Sequence, residues 1–270
     1  MRVGQKAQNL LRSKYIMRTN YKIIICILSI ITFTSSYASI SECMDYVKSK
    51  DWDNIIKYCP EYANDNSDIT KVLSGAYAYK YNGIKAQIYL QKYVDKFANQ
   101  DKDTGAVALA FMSLGNYYYF GEDGAKKDIK KGLEYITKGA QLGNSIAQEQ
   151  LGNFYAIEGE YPTQNVSLSY MWFNIAWANG EVDKKGFKRA FNTIKQQQPY
   201  CIAMGQQLVA ESYINAGAGL SKSDNQARQY LIQAIELYKE AKKPSEDELE
   251  YCPKQKGLDL ASAEKLLKSL

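Results

Sequence analysis

From Asp68 onward the chain is a series of apolar stripes at helical spacing, set in pairs and divided by short polar turns. Leu73, Ser74, Tyr77, Ala86, Leu90 and Tyr93 set the first register, with the tight turn Tyr81-Asn82-Gly83 between the two segments. Further along, one pattern is written twice. Leu114-Gly115, Tyr118, Asp128, Tyr135 and Gly143 return as Leu151-Gly152, Tyr155, Asn165, Trp172 and Gly180, every pair displaced by 37 positions. A fixed period of this size marks helical hairpins stacked so that each covers its neighbour's apolar face. The expected fold class is all-α, an α-solenoid of stacked antiparallel helix hairpins.

Spacing within the copies places their parts. Tyr118 to Gly132, Tyr155 to Ser169 and Tyr213 to Ala227 each span 14 residues, against 9 from Tyr77 to Ala86, so the later copies carry a longer interhelical loop. A small residue returns seven positions on, at Gly139, Ala176 and Ala234. Seven residues are two turns, so both small positions share a face and let a partner helix come close. Asp128, Asn165 and Ser223 occupy one equivalent position as N-caps, Ser223 with Gln226 as a capping box. Before the first register, two short helices are expected at Ser41 to Ser49 and Trp52 to Cys59, with Asp51 capping the second. Val182 to Gln198 reads as a basic amphipathic helix whose Phe187, Phe191 and Ile194 face a core; its lysines read as a solvated face rather than an anion site. Leu258 to Leu270 reads as a closing amphipathic helix over the last repeat.

Leu114-Gly115-x-x-Tyr118-x-x-Gly121, Gly124-Ala125-Lys126-Lys127-Asp128 and Tyr135-x-x-Lys138-Gly139-Ala140-x-x-Gly143-Asn144 together resemble a Sel1-like repeat, the longer-looped relative of the tetratricopeptide repeat. The second copy is similar but departs in its loop, where Gly159-Glu160-Tyr161-Pro162 replaces the glycine-Lys-Asp sequence. The likeness is good over residues 104–181, partial over 206–243, and at superfamily level over 68–99. It implies a right-handed solenoid that holds a protein or peptide and carries no chemistry of its own. The expected organisation is a signal peptide at 1–38, tetratricopeptide-like hairpins at 39–103, two Sel1-like repeats at 104–181, and hairpins with a capping helix at 182–270.

Charge and the first residues add a compartment. Six Lys and Arg residues precede the apolar run Ile23 to Phe33, and Ser36-Tyr37-Ala38 follows it, the pattern of a secretory signal cut after Ala38. The apolar run is shorter than the roughly 20 residues a membrane-spanning helix needs. Met17 stands just before the basic residues with which such a signal begins, so it is a second candidate start. Without residues 1–38, the 34 basic residues fall to 28 against 29 acidic ones, which gives no support for a nucleic-acid partner. The expected localisation is periplasmic or secreted, with no stable membrane span after cleavage.

Cys43, Cys59, Cys201 and Cys252 remain after the signal, and an even count in an exported chain favours disulfides. The first helical hairpin brings Cys43 to Cys59, leaving Cys201 for Cys252, although sequence does not fix the connectivity. A metal site is the rival reading. It lacks C-x-x-C spacing and any histidine, so no metal or cofactor is expected.

Without histidine, Ser-His-Asp and Cys-His arrangements are excluded. Ser262-x-x-Lys265 and Ser223-Asp224-Asn225 match two serine β-lactamase signatures, but in reversed order, without Lys-Thr-Gly, and with Ser223 already explained as a cap. The acidic run Ser245 to Glu250 reads as a capping box after Pro244 rather than a cation site. Tyr77, Tyr118, Tyr155 and Tyr213 read as core. Tyr79, Tyr81, Tyr117, Tyr119 and Tyr170 lie beside core positions and are the candidate binding surface, where tyrosine offers contact area at low entropic cost. The reading is an exported, non-enzymatic scaffold binding another protein or peptide in the bacterial envelope or on a host. The alternative is a hydrolase of cell wall or β-lactams.

Overall fold

The computed structural model describes residues 39–156, 162–180, 184–241, 244–245 and 249–270. The expected signal peptide, most of the Gly159–Pro162 loop and half of the acidic run Ser245 to Glu250 lie outside these residues. The described residues are helical throughout, with twelve α-helices and no strand. They belong to two compact units, one ending at Cys59 and one spanning Pro60–Leu270.

In the first unit, α1 (Ile40–Ser49) and α2 (Trp52–Tyr58) form a short hairpin. Ser39 and Glu42 make a reciprocal capping box at the start of α1, and Asp51 caps α2 through the Asn54 amide. Lys50 turns the chain in the left-handed conformation, and the rings of Tyr46 and Tyr58 stack at 5.8 Å. The hairpin closes with the Cys43–Cys59 disulfide, whose Cα atoms are 5.4 Å apart.

The second unit opens with a 3-10 turn at Pro60–Asn64 and continues as α3 (Ser67–Tyr79), α4 (Gly83–Lys96), α5 (Thr104–Phe120), α6 (Ile129–Gln141), α7 (Ser145–Ala156), α8 (Val166–Asn179), α9 (Lys184–Lys195), α10 (Pro199–Ile214), α11 (Asp224–Glu240) and α12 (Leu260–Ser269). Hairpins form from α3 with α4, α5 with α6, α7 with α8, and α10 with α11. Each hairpin meets the next through its second helix, α4 on α5, α6 on α7 and α8 on α10, while α9 packs on α8 and α12 on α11.

The 14-residue spacing has one cause in all three copies. The N–H of Asp128 bonds to the carbonyl of Tyr118, that of Asn165 to Tyr155, and that of Ser223 to Tyr213, at 2.6, 2.9 and 3.1 Å. Each of these residues then caps the following helix, accepting from the amides of Lys131, Leu168 and Gln226 respectively. One residue thus ends the loop and starts the helix, satisfying donors that a helix terminus would leave unpaired.

Small residues set the closeness of the helices. A side chain on Gly132 would come within 2.5 Å of the Tyr119 backbone nitrogen, and one on Gly139 within 2.8 Å of the Ala108 carbonyl, so at these glycines α5 and α6 approach backbone to backbone. In the next hairpin Ser169 takes the place of Gly132 and donates its hydroxyl to the Gly152 carbonyl at 2.7 Å. The main core lies around α8, where Trp172, Phe173 and Ile175 are buried among Leu151, Ile136, Met204 and Ile202. Burying side chains of this size contributes roughly 1.5–3 kcal/mol each. The expected basic helix forms as α9: Ile194 is buried, and the Phe191 ring meets Tyr170 and Phe173 at 5.7 and 6.2 Å. Cys201 is bonded to Cys252, which fixes the segment before α12 to the start of α10.

Candidate functional site

A groove of about 430 Å³ opens between α3 and α5. It exists because α5 packs on α4 and α6 but not closely on α3. The α3 wall is Lys71, Ser74, Gly75 and Ala78, and the α5 wall includes Ala106, Leu109, Ala110, Ser113, Asn116 and Tyr117. Both sets recur at three- and four-residue spacing, so each is a single helix face. Leu90 of α4 also lines the groove, and Glu122 lies beyond the end of α5. The volume falls in the range of small-ligand and side-chain pockets.

Gly75 gives the groove its room. A Cβ added there would meet nothing within 4 Å. By contrast, Gly115, Gly132, Gly139, Gly152 and Gly205, the comparable glycines inside α5, α6, α7 and α10, each face a neighbouring helix at less than 3 Å. A glycine inside a helix destabilises it by about 0.5–1 kcal/mol relative to alanine. For those five, close packing offsets that cost; for Gly75 no packing does. On the α5 wall, Asn116 contributes an Oδ1 that is shielded from solvent and has no hydrogen-bond partner.

The two ends of the groove differ electrostatically. Lys71 is paired with Asp68 at 3.1 Å and Asp101 at 3.0 Å. Burial pulls its ammonium down, but the bonds to Asp101 and Asp68 outweigh it and the net shift is upward. Asp101 also accepts from the Tyr93 hydroxyl at 2.6 Å and the Asp103 amide at 3.0 Å, and these bonds hold its carboxyl near 2. At the other end, Glu122 and Asp123 are exposed, and neither forms an ion pair among the described residues. Burial, followed by these two carboxylates, pushes the Tyr117 hydroxyl up.

The structure separates the five tyrosines of the sequence reading. Tyr117 lines the groove. Tyr79 and Tyr81 are 62% and 81% exposed at the end of α3 and beyond it, outside the lining. Tyr119 is half-buried, stacked on Phe154 at 4.4 Å. Tyr170 corrects the expectation: it is only 5% exposed, packed against Gly205 and Phe191 and within 3.5 Å of Gln206. The reason is that α8 is covered by α7, α9 and α10 together over most of its length, with only its last turn, at Trp177 and Ala178, exposed. Its sequence signals this, being apolar nearly all round. Gly75, Ser113 and Asn116 were missed, because small and polar positions outside the core stripe give no periodic signal, and Ser74 reads only as a small register position.

A second cleft, of about 270 Å³, is lined by Gln207, Glu211, Gly257, Ser262, Lys265, Leu266 and Ser269. Burial pushes the Glu211 carboxyl up, opposed by a hydrogen bond from Gln207. Ser262 and Lys265 therefore share a cavity with an acid. Ser223, the N-cap of α11, is not part of it.

No family model matches the chain, and no curated protein does. Among solved structures, the chain is similar to a Sel1 repeat protein from Oxalobacter formigenes, at 17% identity over 84% of each chain with a TM-score of 0.39. It is also similar to a protective antigen present in uropathogenic Escherichia coli strains and displaying an SLR fold, at 17% identity over 74% of this chain and 49% of that one, with a TM-score of 0.37.

Proposed function

We propose that this protein is a non-enzymatic scaffold that holds an extended segment of another protein in the groove between α3 and α5. The observation that carries the reading is Gly75, a mid-helix glycine that faces open groove where the other interior glycines face a packed neighbour. Asn116 supports it, since a shielded Oδ1 without a partner on the groove wall suits a backbone N–H of a bound segment. The compartment we propose is the periplasm or beyond, supported by the basic and apolar start of the sequence and by the two disulfides, which persist in oxidising surroundings. Among the described residues no helix is long and apolar enough to cross a membrane.

The test is to pan a displayed random dodecapeptide library against residues 39–270 and against the same chain with Gly75→Leu. Recovered peptides should bind the first and lose binding to the second. Peptides that bind both equally would remove the groove from the reading. A second reading, hydrolysis of cell wall or β-lactams, is favoured by the shared cleft of Ser262, Lys265 and Glu211. Turnover of a chromogenic β-lactam or of peptidoglycan that disappears in Ser262→Ala would establish it, and its absence would leave the scaffold.

A further inference from the structure

We infer that the segment held in the groove carries a lysine or arginine where it meets Tyr117 and Glu122. This deepens the groove reading above and rests on it. The argument begins with which charges are already satisfied. Lys71, at one end, has two carboxylate partners, and the nearer of these, Asp101, is itself bonded to a hydroxyl and an amide. That end asks nothing of a ligand. Glu122 and Asp123, at the other end, have no ion pair among the described residues, although Lys126 and Lys127 follow closely in the chain. Glu122 lines the groove beside Tyr117 and Asp123 follows it in the chain, so a ligand in the groove would meet this charge.

An aromatic ring beside unpaired carboxylates is a setting for a cation, attracted by the ring face and by the charge together. The lining away from that end includes Ala78, Leu109 and Ala110, with Leu109 half exposed, which suits an apolar side chain beside the basic one.

The experiment uses the dodecapeptides recovered from the displayed library, synthesised with a fluorophore and titrated by anisotropy against residues 39–270. The variants are Gly75→Leu and the double variant Glu122→Gln/Asp123→Asn, each checked for native melting by circular dichroism. We expect the recovered peptides to share a basic residue, and to bind the double variant roughly five- to tenfold more weakly. Their affinity for the unaltered chain should fall with added salt, as exposed charge pairs do. If peptides bind, lose binding in Gly75→Leu, but show no basic residue or no response to the double variant, this inference falls and the groove reading stands. Acidic peptides, or self-association of the chain abolished by Gly75→Leu, would also overturn it. If no peptide binds at all, the groove reading and the inference fall together.

Discussion

Gln148 reaches Ala218, 70 positions further along the chain, donating from Nε2 to its carbonyl at 2.9 Å, and the same nitrogen donates to the Ala140 carbonyl at 2.8 Å. Asn179 joins them, bonding to the Ala218 carbonyl at 2.7 Å and to Gln148 Oε1 at 3.2 Å. The turn after α10 is thereby fixed to the turn after α6, where Gly219 and Gly143 lie so close that a Cβ on Gly219 would be 2.5 Å from the Gly143 Cα. That turn also holds Ala216 and Ala218 at positive φ. Each such non-glycine residue costs on the order of 1 kcal/mol, so the network must outweigh strain as well as order the loop. Gln148 is fully buried.

Replacing Gln148 with alanine should therefore be among the more damaging single changes outside the apolar core. It removes one donor each from the buried Ala140 carbonyl and the part-buried Ala218 carbonyl, and an acceptor from the Asn179 amide, each of which keeps one other partner, at about 2 kcal/mol. For a chain of this size that is roughly 4–8 °C in Tm. Thermal unfolding followed by circular dichroism reads it directly, and an unchanged Tm would mean water replaces the side chain without loss.

Glycine substitutions should change sign with position. Gly75→Ala gains helix propensity against open space and should stabilise by about 0.5–1 kcal/mol. Gly132→Ala gains the same propensity but puts a Cβ 2.5 Å from a backbone nitrogen that cannot swing aside. Overpacking of this kind costs typically 1–3 kcal/mol, so the net effect should be destabilising. Urea midpoints of the two variants on opposite sides of the parent value would confirm the contrast; two midpoints on the same side would refute it.

This contrast also shows what the sequence made legible. The caps Asp128, Asn165 and Ser223 were visible because a capping oxygen must be Asp, Asn, Ser or Thr at one fixed place, and the repeat supplied the place. The disulfide partners were visible because one pair sits on a hairpin. Tyr170 was misplaced because a two-helix register treats every flanking position as outward, whereas the burial of α8 depends on α9 and α10, which lie outside the repeat. The groove itself was not legible. It consists of a missing side chain at Gly75 and a gap between α3 and α5, and a one-dimensional pattern records neither a gap nor the unpaired state of Asn116.

The two disulfides should contribute unequally. Constraint of the unfolded chain scales with the logarithm of the loop closed, so the Cys201–Cys252 link, at a separation of 51, contributes about 4 kcal/mol and the Cys43–Cys59 link, at 16, about 3 kcal/mol. Paired substitutions, Cys201→Ala with Cys252→Ala and Cys43→Ala with Cys59→Ala, separate them. The first pair should lower the urea midpoint of the second unit. If it does not, residues 249–270 are held to α10 by packing and not by the bond.

Acid sensitivity should trace to Asp101. The Tyr93 hydroxyl, the Asp103 amide and Lys71 hold its folded carboxyl at about 2, while an unfolded aspartate titrates near 3.9. A depressed folded value means that the fold favours the ionised form. The stabilisation is fully present above about pH 4 and is lost as pH falls toward 2. The side chain is 15% exposed and partly screened, so the contribution near neutrality is on the order of 1 kcal/mol rather than the full linkage value. Asp101→Asn should lower the urea midpoint at pH 6 and approach the parent as pH drops below the folded value. A gap between parent and variant that stays constant with pH would show that Asp101 acts through hydrogen-bond geometry alone, since asparagine keeps an acceptor for Tyr93 but carries no charge for Lys71.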